Sequence, residues 1–121
     1  MIIVIFQLFL ATSLHMLPAK GATHLVGDTD GWAPSISSTN WTDSKKFHVG
    51  DILVFQYQMD LHNVMQVNST AYKDCTKDGY IRLFTTGNDS LILSEVGNFW
   101  YICGVTDHCE KGQKLGIIVA P

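Results

Sequence analysis

Phe99-Trp100-Tyr101-Ile102-Cys103-Gly104-Val105-Thr106-Asp107-His108-Cys109-Glu110-Lys111-Gly112-Gln113-Lys114-Leu115-Gly116-Ile117-Ile118-Val119 sets two apolar runs of strand length on either side of a short polar loop. The first run ends on Cys103 and the second returns directly after Gln113. Aromatic and β-branched residues in short runs bounded by Gly and Asp suit strands. A strand ending at Cys103, a loop through His108 and a strand beginning near Gln113 can therefore bring three side chains to one point.

The same pattern continues outward along the chain. Strands are expected at His24 to Val26, Phe47 to Val49, Ile52 to Tyr57, Val64 to Val67, Tyr80 to Leu83, Leu91 to Leu93, Phe99 to Cys103 and Lys114 to Val119. Turn chemistry separates them at Gly27-Asp28, Gly50-Asp51, Asp78-Gly79 and Gly87-Asn88. Ser69 to Lys73 suits one helical turn, and no segment keeps helical periodicity for three turns. An all-β domain folded as a two-sheet sandwich follows. Trp32, Trp41 and Trp100 read as core or edge packing, since each ring offers much burial to a small domain.

The chain has 121 residues and a formal charge of −3. Met1 to Leu17 carries no charged side chain, Gly or Pro, and Pro18 ends the run. It is short for a membrane span, and the small residues Ala19 and Gly21 follow at the spacing a signal peptidase prefers. Residues 1–21 are therefore expected to be a cleaved signal peptide and residues 22–121 the mature domain, with an uncleaved anchor as the alternative. Cleavage removes Lys20 and no acid, moving the charge from −3 to −4. A mildly acidic chain without a Lys/Arg cluster disfavours nucleic acid and anionic membranes. Three sequons, at Asn40, Asn68 and Asn88, suit a secreted glycoprotein. No second hydrophobic tail follows Ile117-Ile118-Val119, so a soluble monomer without a stable membrane anchor is expected.

In an oxidising compartment the three cysteines Cys75, Cys103 and Cys109 leave one thiol over. A thiol outside the cell persists when a metal holds it as thiolate. Cys103 is the candidate, because it opens the spacing Cys103-x4-His108-x4-Gln113; Cys75 and Cys109 then pair. His62, in the loop between the strands ending at Tyr57 and beginning at Val64, can supply a second imidazole. Two imidazoles and a thiolate with a weak axial Gln or Met form the ligand set of a blue-copper electron-transfer site. Met59 and Met65 offer thioethers in principle, but Met65 fits an alternating strand face and Met59 a loop. His24 and His48 lack partners at ligand spacing and read as surface or edge residues.

At this point the sequence resembles the phytocyanins, the plant blue copper proteins that include stellacyanins, plantacyanins and uclacyanins. The resemblance rests on Val26-Gly27-Asp28, Gly31-Trp32, Asn40-Trp41, Phe47-His48-Val49-Gly50-Asp51, His62-Asn63-Val64, Ala71-Tyr72 with Cys75, and Thr85-Thr86-Gly87. Its most specific part runs from Tyr101-Ile102-Cys103 through His108-Cys109 to Gly112-Gln113-Lys114-Leu115. It implies a cupredoxin-like Greek-key β-sandwich with one copper at one end, ligated by His62, Cys103 and His108, and a Cys75–Cys109 disulfide. It also implies that Asn63 ties the two ligand loops together, and that Gln113 is the axial ligand, as in stellacyanins. Where many relatives have Pro-Gly before the second histidine, this chain has Thr106-Asp107, which puts a carboxylate beside the ligand loop. Many relatives continue into a Pro-rich stalk and lipid-anchor signal that this sequence lacks.

The expected function is a secreted one-electron carrier of the apoplast or cell wall, serving a redox donor or acceptor that is a small molecule or a protein. The rivals are a non-redox wall-binding or structural protein stabilised by copper, and a zinc site, although an amide oxygen is an unusual zinc ligand. No base-activated nucleophile or paired acid set stands out, so an enzyme is not expected.

Overall fold

The computed structural model describes residues 21–121; the expected signal peptide, residues 1–21, lies outside them except for Gly21. Eight strands and one short helix follow in order: β1 Thr23–Leu25, β2 Phe47–His48, β3 Ile52–Gln56, β4 Val64–Val67, α1 Ser69–Asp74, β5 Arg82–Phe84, β6 Asn88–Ile92, β7 Gly97–Ile102 and β8 Lys114–Ala120. They build a three-stranded sheet of order β1-β3-β6 and a five-stranded sheet of order β2-β8-β7-β4-β5. The expected all-β sandwich is the architecture observed. No helix among the described residues is long and apolar enough to cross a membrane.

Alternation decides what each strand buries. Leu53 and Phe55 of β3, Leu91 of β6, Tyr101 of β7, and Leu115, Ile117 and Val119 of β8 enter one core with Trp32, Trp41 and Cys103. Strand residues one position away point to the opposite face. On the five-stranded sheet that face is covered as well: Met65, Val67 and Ile102 pack with Cys109, Ala71, Tyr72, Cys75 and Trp100 in a second cluster. Trp100 therefore sits three residues before Cys103 in a different cluster, opposite Gly116, where a Cβ would come within 3.2 Å of its ring.

Four strands begin elsewhere than the sequence suggests, β1 by one residue, β5 and β7 by two and β6 by three. The run expected at Tyr80 to Leu83 pairs as Arg82–Phe84, and Tyr80 and Ile81 remain exposed. Asn88, read as a turn residue, opens β6, because Asn88 and Ser90 face solvent while Asp89 and Leu91 turn inward. Asp89 is a buried carboxylate that accepts hydrogen bonds from the Tyr57 hydroxyl and, at 2.7 Å, from the Thr86 hydroxyl. Burial, followed by the bond to Asp89, pushes the Tyr57 phenol well above its ordinary range.

Helix α1 starts where Asn68 accepts a hydrogen bond from the Ala71 amide at 2.9 Å, an N-cap. It ends at Cys75 in the left-handed region, φ 54°. Cys75 is bonded to Cys109, across a sequence separation of 34, and Cys103 is the free thiol. The pairing left by the odd-cysteine count is thus the one observed. Loop-closure entropy assigns the bond about 3–4 kcal/mol. Replacing both Cys75 and Cys109 by Ala should lower the unfolding free energy by that amount, read as a shift of the urea midpoint with little change in slope; an unchanged midpoint would contradict it.

Candidate metal centre

The β7–β8 ladder pairs Ile102 with Lys114 and is extended by one rung, in which the Cys103 amide donates to the Gln113 carbonyl at 3.0 Å. Cys103 and Gln113 thus face each other just beyond the strand ends, both fully buried. The connecting loop folds on itself. The His108 amide donates to Val105 O at 3.1 Å, and the Gln113 amide donates to His108 O at 2.9 Å, so both backbone groups of His108 are held. The Cys75–Cys109 bond pins the next residue to the end of α1.

His62 arrives on the β3–β4 connection, with its amide donating to Gln58 O at 3.1 Å. Its neighbour Asn63 joins the two loops: the Gly104 amide donates to Asn63 Oδ1 at 2.7 Å. From the core side, the Trp32 indole N–H donates to the Asn63 carbonyl at 2.8 Å, and Gln113 Nε2 donates to the Trp32 carbonyl at 3.2 Å. The sequence reading gave Trp32 packing alone. Its polar edge and its carbonyl link the His62 loop to Gln113, and Gly31-Trp32 among the family-like motifs was the only signal pointing there.

His62 Nδ1, His108 Nδ1 and Cys103 Sγ form an acute triangle with sides of 3.2, 3.6 and 4.0 Å. A point equidistant from these three corners lies inside the triangle about 2.1 Å from each, within the range of roughly 2.0–2.3 Å for bonds from a transition metal to imidazole nitrogen and thiolate sulfur. Gln113 adds a further donor. Its side chain is fully buried, its Nε2 is used by Trp32, and its Oε1 has no hydrogen-bond partner. A buried amide oxygen left without a donor is costly unless something else meets it. The donor chemistry and the orphaned oxygen together fit a copper ion.

Burial lowers the His62 imidazole pKa, the facing His108 adds to this, and the nearby Gln113 side chain opposes it. A neutral ring is the form that ligates a metal.

Other candidates separate clearly. Met59 is exposed, whereas Met65 is buried with its thioether end where a Cβ on Gly104 would meet it. His48 is exposed as expected, but His24 is not a simple surface residue: it packs on the Phe47 ring and lies 2.9 Å from the Asp51 carboxylate. The Asp107 carboxylate beside the loop is exposed and 3.3 Å from Lys111, whose hydrogen bond chiefly holds it below the usual carboxylate range. Thr106 has φ 44°, and the Lys77 ammonium donates to its carbonyl. A Pro at position 106 would fix φ near about −65°, so this loop takes a path closed to the Pro-Gly version.

A plastocyanin-like domain family matches residues 32–113. The chain is 42% identical over 115 residues to blue copper protein 1a of Medicago truncatula, covering 93% of this chain and 71% of that protein. It is 40% identical over 101 residues to stellacyanin of Toxicodendron vernicifluum, covering 79% of this chain and 94% of that protein. The chain belongs to the phytocyanins. The solved structure of cucumber stellacyanin with Cu2+ at pH 7.0 superposes on this phytocyanin with a TM-score of 0.74 at 32% identity, covering 84% of this chain and 97% of that one. The family implies copper, and the His62, Cys103 and His108 side chains of this phytocyanin are drawn together from two separate loops.

Asn63 is the polar tie between those loops. Asn63→Ala should cost about 1–3 kcal/mol of stability by leaving the Gly104 amide unpaired. It should also weaken copper affinity about 10–100-fold in a chelator competition. Asn63→Asp keeps an acceptor oxygen and should recover most of the affinity; equal loss in both variants would mean that the hydrogen bond is not the cause.

Proposed function

We propose that this chain is a secreted one-electron carrier in which His62 Nδ1, His108 Nδ1, Cys103 Sγ and Gln113 Oε1 would hold one copper ion. The observation that carries this reading is the donor triangle beside an amide oxygen with no other partner. When bound, copper supplies a couple that exchanges one electron between Cu(II) and Cu(I). The chain's part is to hold its donors still. Cys103 and Gln113 are fixed by a strand ladder, His108 by a closed loop and a disulfide, and His62 by Asn63. Donors that do not move between oxidation states keep the reorganisation accompanying transfer small. Burial of Cys103 also keeps the thiolate from oxidants and other thiols.

Secretion follows from the run at residues 1–17 and the small residues before Ala22, and with it a place in the apoplast or cell wall. Asn40, Asn68 and Asn88 are all exposed and open to glycosylation. Asn68 uses its Oδ1 as the α1 cap, which leaves its amide nitrogen for a sugar. The partner is a redox donor or acceptor, small molecule or protein.

The deciding experiment is the visible spectrum and voltammetry of the copper-loaded protein: an intense blue band and a reversible wave are expected. A colourless protein, or a blue one without a reversible wave, would favour the structural rival. Cys103→Ser should fold, since the Cys75–Cys109 bond is untouched, and should lose the blue band entirely; a variant that stays blue would refute the assignment.

Gln113→Met tests the axial donor. An amide oxygen is a harder donor than a thioether and favours Cu(II), so the substitution should raise the reduction potential while the protein stays blue. The change also removes the Nε2 bond to Trp32, which makes the direction the diagnostic quantity. An unchanged potential would show that Gln113 does not reach the metal.

A further inference from the structure

Asp51 stands at the opening of β3 and is 3% exposed. Its carboxylate collects three donors from two segments. The Ala22 amide donates to Oδ1 at 2.8 Å, while His24 Nε2 lies 2.9 Å and the His48 amide 3.0 Å from Oδ2. The His48 ring stands at 4.0 Å and is half-exposed. Among the described residues no Lys or Arg forms an ion pair with Asp51. Burial raises the Asp51 carboxyl, but the His24, His48 and Ala22 donors outweigh it and hold the carboxylate below its usual range, with no permanent cation beside it.

One bond in the chain can supply that cation. The Ala22 nitrogen is an amide only while Gly21 precedes it, and as a first residue it carries an α-ammonium. Ala22 is already held for this role, because its carbonyl accepts from the Ile52 amide at 2.9 Å and Thr23 pairs with Ile52. On the other side the intact chain passes so close to the Gly50-Asp51 backbone that a Cβ on residue 21 would lie 2.0 Å from Gly50 O, so only glycine fits there.

We propose that cleavage between Gly21 and Ala22 creates an α-ammonium that forms a buried ion pair with Asp51, locking β1 to the β2–β3 turn in the mature protein. The proposal rests on residues 1–21 being a cleaved leader and is independent of copper. Hydrolysis by a peptidase selecting small residues at 19 and 21 adds one water. The Gly21–Ala22 C–N bond breaks, the hydroxyl completes a carboxylate on Gly21, and the Ala22 nitrogen leaves as an ammonium. The neutral donor at 2.8 Å thereby becomes a charged one without moving the chain.

The sign of the pH dependence follows. A carboxylate partner raises the folded-state pKa of the terminal amine above its ordinary value of about 8. The stabilisation is then complete below about pH 8 and is lost as pH rises through the raised value. The other titratable groups facing Asp51 are His24 from β1 and His48 from β2.

The test begins with secretion of residues 1–121 from a plant cell and determination of the first residue. Ala22 is expected, and any other first residue overturns the proposal. The free-amine chain from Ala22 is then compared with the same chain N-acetylated, each with Asp51 and with Asp51→Asn. Acetylation should lower the folding equilibrium constant at pH 7 at least tenfold, and the gap should close above about pH 10. It should also vanish in Asp51→Asn. Equal stability of free and acetylated chains, a gap that persists to high pH, or a gap unchanged by Asp51→Asn would each overturn the pairing. The alkaline titration needs no variant, so a poorly folding Asp51→Asn leaves the test intact. Recording the blue band in every form separates this result from the carrier reading, which can fail alone.

Discussion

The rung that joins the Cys103 amide to the Gln113 carbonyl is the constraint on which the rest of the centre depends. It continues the β7–β8 register past the last paired residues, so two buried polar side chains face each other at the mouth of the sandwich. A slip of one residue would turn Cys103 into the cluster beneath α1 and put Ile102 in its place. The apolar positions prevent this. Tyr101 and Leu115 must enter the main core while Trp100 and Ile102 enter the second cluster, and both faces of β7 are occupied.

The other donors are attached to this frame by progressively longer routes. His108 is close to Cys103 in sequence and needs only a closed loop. His62 is 41 residues away from Cys103 and depends on Asn63, which connects to Gly104 in one direction and to Trp32 in the other. Trp32 in turn holds Gln113, so a single buried residue couples the His62 loop to the Gln113 side chain. Each link satisfies a buried polar group that would otherwise be orphaned, which gives the network its rigidity. Gln113 Oε1 is the exception, since no donor meets it.

Chemistry-bearing residues were easier to read than the boundaries around them. The surplus thiol and the Cys103-His108-Gln113 spacing came from cysteine counting and ligand spacing, and His62 from its loop between two expected strands; the structure gathers His62, Cys103 and His108 together. Strand limits near Tyr80 and Asn88 shifted, because pairing with β4 and β3 selects which residues of a run enter the ladder, and local propensity does not contain that choice. His24 lies on the edge strand β1, as one of its readings had it, but its partner Asp51 is 27 residues away and was not legible for a similar reason.

By itself the sequence determined the strand-rich pattern, the odd cysteine and the order of donors along the chain, since these depend on composition and short-range periodicity. Only the tertiary structure decided that Trp32 joins two loops, that Trp100 lies in the cluster under α1, and that the Ala22 nitrogen rests on Asp51. These depend on contacts between separate elements, 29 positions apart for Ala22 and Asp51 and 31 for Trp32 and Asn63, whose geometry is set by how two sheets stack and not by any local preference.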